Sequence, residues 1–296
     1  MKTESVAAIV VHYESPSTLE NTLASLALHI DKNKIVVVDN SSTLERSQID
    51  ADITILDDGT NRGYAGGVNR GFRHVQEYMP EVTEILVCTH EAIFRSGSVA
   101  GLMNTAALHP DGHVVGPKLV SQNAEGNEVV WSNGGKLALP FYYPTHNTRP
   151  GASGTKRADW IDGAAFLIDA KSLARLGGIP EEFFMYMEDV ALGVKCASAG
   201  IPVVVNLDTE VEQTANGPKR SLAIRNRTLL ALRYFNFWKR MIVLIEVSAR
   251  QLLMSAYPSQ NFRAKAVESR KAILEARRIA ASLPPIGSGQ ATTGKL

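Results

Sequence analysis

The sequence predicts an α/β protein, a mostly parallel sheet flanked by helices, with a C-terminal helical extension. Two observations predict the sheet. Apolar, β-branched runs of strand length recur through the first half, and stretches with helical spacing separate them. A third predicts the extension, because the charge balance reverses near residue 217. Residues 1–216 hold 16 Lys and Arg against 27 Asp and Glu, whereas residues 217–296 hold 15 against 3. The net charge of +1 therefore hides an acidic body and a basic tail, which suits either an anionic partner or docking of the tail on the body.

Each element follows from a local signal. Val6–Tyr13 is a continuous apolar run, as expected of a buried parallel strand. Pro16 and Ser17 open a helix to about His29, with Leu19, Leu23, Leu26 and Ile30 at helical spacing. Lys34–Asp39, Ile53–Leu56 and Glu84–Cys88 read as the next strands, Ser98–Leu108 as a helix and Val114–Val120 as a further strand. Beyond it, up to Pro150, the chain is rich in Gly, Asn, Pro and aromatics such as Trp131, Phe141, Tyr142 and Tyr143, the composition of a long binding loop or a disordered insertion. Ala164–Asp169 returns as a strand. Glu188–Ala199 is a helix closed by Gly200, and Pro202–Val205 is a last short strand. From Ser221 a helix runs to about Tyr257, Tyr257-Pro258-Ser259 breaks it, and a second helix reaches about Ser282. The expected organisation is a domain over 1–216, a basic helical extension over 217–284 and a Gly/Ser/Thr-rich disordered tail over 285–296.

Composition narrows the function. No stretch approaches the roughly 20 uncharged apolar residues of a membrane span, and the chain does not open on a basic flank followed by an apolar core. Cys88 and Cys196 are too few for a disulfide framework or a cysteine-based zinc site, so a reducing cytoplasm is expected. The tail carries Met241–Ile245 and Leu252–Met254 among basic residues. It suits packing on the body, a homodimer interface or peripheral contact with the inner face of an anionic membrane, and no nucleic-acid partner is expected.

Ligands of open parallel sheets bind beyond the carboxyl ends of the strands. Here those ends carry His12-Tyr13-Glu14, Asp39-Asn40-Ser41-Ser42 and Thr89-His90-Glu91, which outline a site for a polar ligand. The segment Asn61 to Gly71 holds glycines at 63, 66, 67 and 71 and leads into a helix, whose amide end favours anions. It is not the dinucleotide fingerprint, and there is no Gly-Lys-Ser/Thr phosphate loop. Downstream, Glu188 and Asp189 follow an aromatic loop and open a helix. They complement the helix dipole, and the same placement suits a base beside a pocket for a sugar hydroxyl.

The strings VVVDNSS, NRGYAGGVNRG, WIDGAAFLI and LGGIPEEFFMYMEDVALGVKCASAG, in that order, resemble the inverting family 2 glycosyltransferases of GT-A fold, especially the rhamnosyltransferase-like branch. The resemblance runs from Val6 to about Tyr234 and includes Ile224-Arg225-Asn226-Arg227, which is similar to the family's basic segment. It implies a Rossmann-like domain that moves a sugar from a dTDP- or UDP-linked donor to an acceptor hydroxyl with inversion. Asp39 would bind the base. His12, Tyr13, Ser41, Asn61, Gly63, Gly66, Gly67, Asn69, Thr89, His90 and Glu91 would form the rest of the nucleotide and donor site. Trp160, Asp162 and Gly163 would line the sugar or acceptor side, with Asp189 as general base and Glu188 positioning it.

Three departures from the family pattern stand out. The usual Asn-x-Asp or Asp-x-Asp is Thr89-His90-Glu91, so Glu91 remains as the ligand for a Mn or Mg ion. The usual histidine after the last strand is absent from Glu210–Thr214, where Glu212 or Gln213 would substitute. Arg225 and Arg227 are then candidates to neutralise the leaving diphosphate. The usual Glu-Asp-Val-Asp has become Glu-Asp-Val-Ala, with Ala191 last. A catalytically degenerate nucleotide-sugar-binding or scaffold protein is the alternative. Nucleotidyl transfer is disfavoured, because no Gly-rich basic loop follows the first strand.

Overall fold

Seven consecutive buried residues, Val6–His12, form β1, an interior strand of a 10-stranded sheet. The computed structural model describes residues 4–213, 220–256 and 260–286. On one side of β1 lie β2 (Ile35–Asp39) and then β3 (Thr54–Leu56), both parallel to it. On the other side lies β4 (Glu84–Thr89), also parallel. β5 (Ile93–Phe94), β6 (Val114–Gln122), β7 (Glu128–Ser132), β8 (Gly135–Ala138), β9 (Tyr143–His146), β10 (Thr155–Arg157), β11 (Ala165–Asp169) and β12 (Val203–Glu212) follow along the chain. The main order is β10-β12-β6-β11-β4-β1-β2-β3. β11 runs antiparallel to both β4 and β6, so β6 and β12 point the same way as β1. The majority direction is thus the expected parallel one.

Side chains alternate across β1, and each set buries against its own helices. Ala8 and Val10 pack with Leu19, Leu23 and Leu26 of α1 (Pro16–Ala27) and with Val99 and Leu102 of α3 (Ser98–Ala106). Ile9 and Val11 pack with Val68, Phe72 and Val75 of α2 (Gly63–Tyr78). The same layer holds Leu173 of α4 (Ala170–Arg175) and Leu192 and Cys196 of α5 (Glu188–Ala199). Gly200 closes α5 in the left-handed conformation, as expected. Both cysteines are buried and unbridged.

Several expectations need correction. The aromatic stretch expected as a loop contains β7, β8 and β9; β7 extends the main sheet, and β8 pairs with β9 in a separate ribbon. The last strand is not short: β12 runs ten residues, carried past Val205 by pairing with β6 across an irregularity between Asn206 and Glu210. The single helix expected from Ser221 is two, α6 (Arg220–Tyr234) and α7 (Phe237–Ala256). Asn236 stands between them, and its side-chain oxygen accepts the Lys239 N–H at 3.1 Å, capping α7. The expected break at 257–259 and residues 287–296 of the expected tail lie outside the described residues.

The described residues form two compact units, one of 4–137 with 143–213 and one of 138–142 with the helices α6, α7 and α8 (Gln260–Ser282). No helix among the described residues is long and apolar enough to cross a membrane.

Candidate active site

The carboxyl ends of β1, β2 and β4 sit side by side, with His12 opposite Asp39 and Val11 opposite Thr89. Asp39 is almost fully buried and its carboxylate organises the loop that follows. One oxygen accepts the Ser41 N–H at 2.9 Å and the Ser41 hydroxyl at 2.7 Å; the other accepts the N–H groups of Thr43 and Leu44, each at 3.0 Å. Burial works against the charge, but these bonds outweigh it and hold Asp39 below its ordinary pKa. Both oxygens are therefore engaged by the loop, so Asp39 shapes the place expected for a base through Ser41–Leu44. Ser41 in turn accepts the Glu14 N–H at 2.9 Å, which ties the loop after β1 to the loop after β2.

His12 is fully buried, and its Nδ1 has no hydrogen-bond partner among the described residues. Its ring meets that of His90 edge-on at 5.1 Å. Burial and the neighbouring His90 lower its pKa to about 4, so the imidazole is neutral. Tyr13 is exposed. At the next strand end, the Thr89 hydroxyl donates to Oε1 of Gln213 at 3.1 Å, and Nε2 of Gln213 reaches Glu91 at 3.4 Å. No group of three or more His, Cys, Asp and Glu side chains is placed to hold a metal among the described residues. The Glu91 carboxylate is an oxygen donor of the kind a hard cation takes, whereas the Gln213 oxygen accepts from Thr89 and its amide nitrogen is the atom turned toward Glu91.

Local geometry changes the reading of the glycine segment. Helix α2 begins at Gly63, so Gly66, Gly67 and Gly71 lie within it rather than in a loop before it. A Cβ on Gly71 would sit 2.5 Å from Ile9, and one on Gly67 would sit 3.0 Å from Val11. The close approach they allow is to the sheet. Gly63 has φ +69°, and a Cβ there would meet the Phe184 carbonyl oxygen at 2.1 Å. That carbonyl accepts the Tyr64 N–H at 2.8 Å, so this amide of the α2 end serves the protein and not an anion. Asn61 and Asn40 brace the turn, Asn61 accepting the Gly63 N–H and Asn40 donating to the Gly63 carbonyl, each at 2.9 Å. Asn69 is buried as a clamp: it donates to the Ile179 carbonyl at 2.8 Å and to Glu181 at 2.7 Å, and accepts the Ile179 N–H.

The acid pair lies on the same sheet edge. The Thr89 N–H donates to the Ala164 carbonyl at 3.0 Å, and the Gly163 N–H donates to Oδ2 of Asp189 at 3.1 Å. Asp39 at the end of β2 and Gly163 just before β11, the residue that binds Asp189, are thus linked through β1 and β4, and their strands lie three spacings or about 14 Å apart across the sheet. The Val190 N–H donates to the other Asp189 oxygen at 2.7 Å, and the Tyr64 hydroxyl donates to the Gly163 carbonyl. Burial, with the Asp162 carboxylate beside it, pushes Asp189 up to about 7 against those N–H donors. Glu188 is buried, its Oε2 has no partner among the described residues, and burial followed by the Asp189 charge raises it well above the carboxylate range. The preceding loop is strained, with positive φ at Phe184, Tyr186 and Met187, while Phe184 and Met185 stay exposed.

Trp160 is buried, its ring against Gly135 and its backbone against Gly193. It meets the site through His146, whose ring lies 4.9 Å from Trp160 and 5.4 Å from Trp131. His146 also approaches Asp162, with Nδ1 3.5 Å from Oδ2. Sequence reasoning missed His146 and Tyr64; the one available signal was the aromatic richness around Trp131 and Tyr143. Arg225 and Arg227, the expected diphosphate ligands, have partners within the helical unit. Arg227 is buried, ion-paired with Glu246, and donates to the Phe141 carbonyl at 2.8 Å; Arg225 pairs with Glu275 at 2.9 Å. Those partners lie far along the chain and are invisible to local pattern reading.

A family profile described as "Glycosyltransferase like family 2" matches residues 4–231. The chain belongs to this glycosyltransferase family. It is 26% identical over 269 residues to the N-acetylglucosaminyl-diphospho-decaprenol L-rhamnosyltransferase of Mycobacterium tuberculosis, covering 80% of this chain and 87% of that protein. Over 197 residues it is 26% identical to a low-salt glycan biosynthesis hexosyltransferase of Haloferax volcanii, covering 63% of this chain and 60% of the other. Among solved structures, a mannosyltransferase from Pyrobaculum calidifontis in complex with GDP-Man and Mn2+ matches with TM-score 0.53 and 13% identity, over 94% of this chain and 87% of that one. GalNAc-T7 with UDP, GalNAc and Mn2+ matches at TM-score 0.62 and 13% identity over 94% of this chain, which spans 57% of that structure. These structural likenesses show the fold, which is GT-A. The glycosyltransferase is an enzyme by family, and its sheet edge from Asp39 to Asp189 is the candidate site.

Proposed function

We propose that this glycosyltransferase moves a sugar from a nucleoside-diphosphate sugar to an acceptor hydroxyl with inversion, and that Asp189 is the general base. The observation that carries this reading is the state of Asp189, a carboxylate fixed by two backbone N–H groups and raised to about 7 on the edge it shares with the β1, β2 and β4 ends. A base with that pKa is ionised near neutrality and still takes a proton readily. The acceptor oxygen attacks the anomeric carbon as the bond to the diphosphate breaks. Its proton passes to Asp189, and nucleoside diphosphate leaves with the bonding pair. Glu188, buried as the neighbouring residue, positions Asp189.

The nucleoside rests on the loops after β1 and β2, between Tyr13 and Ser41–Leu44, with neutral His12 beneath. Glu91, with Gln213 beside it, would hold a divalent cation, which supplies charge neutralisation for the leaving diphosphate. Asp162, Gly163 and His146 line the acceptor side. The similarity to an N-acetylglucosaminyl-diphospho-decaprenol L-rhamnosyltransferase supports a deoxyhexose donor and a lipid-diphosphate-linked acceptor.

The test is release of nucleoside diphosphate from a panel of nucleotide sugars, followed by NMR assignment of the product's anomeric configuration. Turnover with inverted configuration supports the proposal; a retained configuration removes the single-displacement mechanism. The altered β4 end favours a second reading, a binding protein without catalysis. Tight nucleotide binding with no turnover on any donor would establish it.

A further inference from the structure

Helix α7 is amphipathic in the reverse of the usual sense: its outward face is the apolar one. Trp238, Ile242, Ile245, Leu252 and Leu253 are all exposed, Trp238 by 74% and Leu253 by 70%. At about 100° per residue they fall, with Met241, in one stripe about 120° wide and some 22 Å long. The face that packs inward carries Val243, Glu246 and Val247. A monomeric protein rarely leaves so continuous an apolar strip in water.

Charge identifies what covers it. The extension from residue 217 holds 15 cationic side chains against 3 carboxylates. On α8 the charges are segregated: Ala266, Ser269, Ala272, Ile273 and Ala276 face inward, while Arg263, Arg270, Lys271, Arg277 and Arg278 are exposed together with Val267 and Leu274. Of the three carboxylates, Glu246 is buried against Arg227, Glu275 pairs with Arg225 and Glu268 is exposed, so cations outnumber carboxylates on the outward surface. Apolar insertion flanked by an excess of cations is the signature of a helix lying in an anionic lipid surface, not of a self-association face, where like charges would meet.

We infer that α7 lies in the interfacial plane of an anionic bilayer, with Trp238, Ile245 and Leu252 inserted and the α8 cations on the headgroups. The helix rests on the membrane and does not cross it. The inference does not depend on the reaction proposed above, since it uses none of the site residues.

The experiment is co-sedimentation of the full chain with phosphatidylcholine vesicles, with and without about one-third phosphatidylglycerol. The expected result is binding to the anionic vesicles that exceeds binding to neutral ones by about tenfold or more and weakens with salt. Trp238→Gln combined with Ile245→Gln and Leu252→Gln should lower vesicle affinity by about tenfold or more. Arg270→Gln with Arg277→Gln should remove much of the preference for anionic lipid. Because these side chains are exposed, both variants should keep the wild-type melting temperature and wild-type turnover on a water-soluble acceptor. Equal affinity for neutral and anionic vesicles would overturn the inference. So would absence of vesicle binding by a wild-type dimer that the triple variant converts to monomer, which would give the stripe to a second copy.

Discussion

Replacing Asp189 with asparagine should move activity and stability in opposite directions. The wild-type carboxyl rises from an ordinary 3.8 to about 7 in the folded chain, because it is half-buried, with Asp162 beside it. Three pH units at about 1.4 kcal/mol each make ionised Asp189 a burden of at most about 4 kcal/mol above neutrality. Partial exposure reduces this figure. Asparagine also loses one of the two acceptors that meet the Gly163 and Val190 N–H groups, which costs about 1–2 kcal/mol. The variant should therefore be more stable than wild type by roughly 1–2 kcal/mol near pH 8. Since the folded pKa lies above the unfolded one, the wild-type contribution is fully present below about pH 4 and is lost as pH rises to about 7. The variant's advantage should grow across that window and then level off. Turnover should fall by roughly 10² to 10⁴, the usual share of a general base, with nucleotide binding retained. Thermal melts at several pH values, with nucleoside diphosphate release, measure both. Undiminished turnover would refute the base assignment, and a stability difference that ignores pH would refute the buried carboxylate.

Wild-type kcat/KM should fall about tenfold per pH unit below roughly pH 7, as Asp189 takes up its proton. Gly71→Ala should destabilise by about 1–3 kcal/mol through its contact with Ile9, and nucleotide affinity in the surviving folded protein should not change. Glu91→Gln should weaken activation by Mn2+ severalfold and lower turnover, whereas chelation should lower wild-type turnover reversibly; a variant with unchanged cation response would remove Glu91 as a ligand. Glu246→Gln should lower stability by roughly 3–5 kcal/mol, because it strands the buried Arg227 charge; calorimetry of the full chain reads the loss.

Much of this architecture is legible in the sequence, for physical reasons. Strands β1, β2 and β4 are buried on both faces and so read as unbroken apolar runs, and Gly200 marks the end of α5 because few other residues adopt its backbone angles. The polar residues at the strand ends are visible because they interrupt those runs. What stays hidden depends on partners distant in the chain. The sequence cannot show that both Asp39 oxygens serve a loop, that Gly67 and Gly71 face Val11 and Ile9, or that Arg227 has Glu246. The strands of the aromatic segment escaped because β8 and β9 are four residues each, too short to show a period. His146 gave no signal beyond the aromatic richness around it until folding put it beside two tryptophans and Asp162.

The proposed reaction requires the Ser41–Leu44 loop and Asp189 to serve one bound donor, and locating a bound nucleoside diphosphate tests this most directly. A crystal structure with dTDP or UDP should place the nucleoside over the Ser41–Leu44 loop and the diphosphate between Glu91 and Gly163, leaving its terminal phosphate directed toward Asp189. A nucleotide found away from the β1, β2 and β4 ends, or turned with its diphosphate away from Asp189, would contradict it.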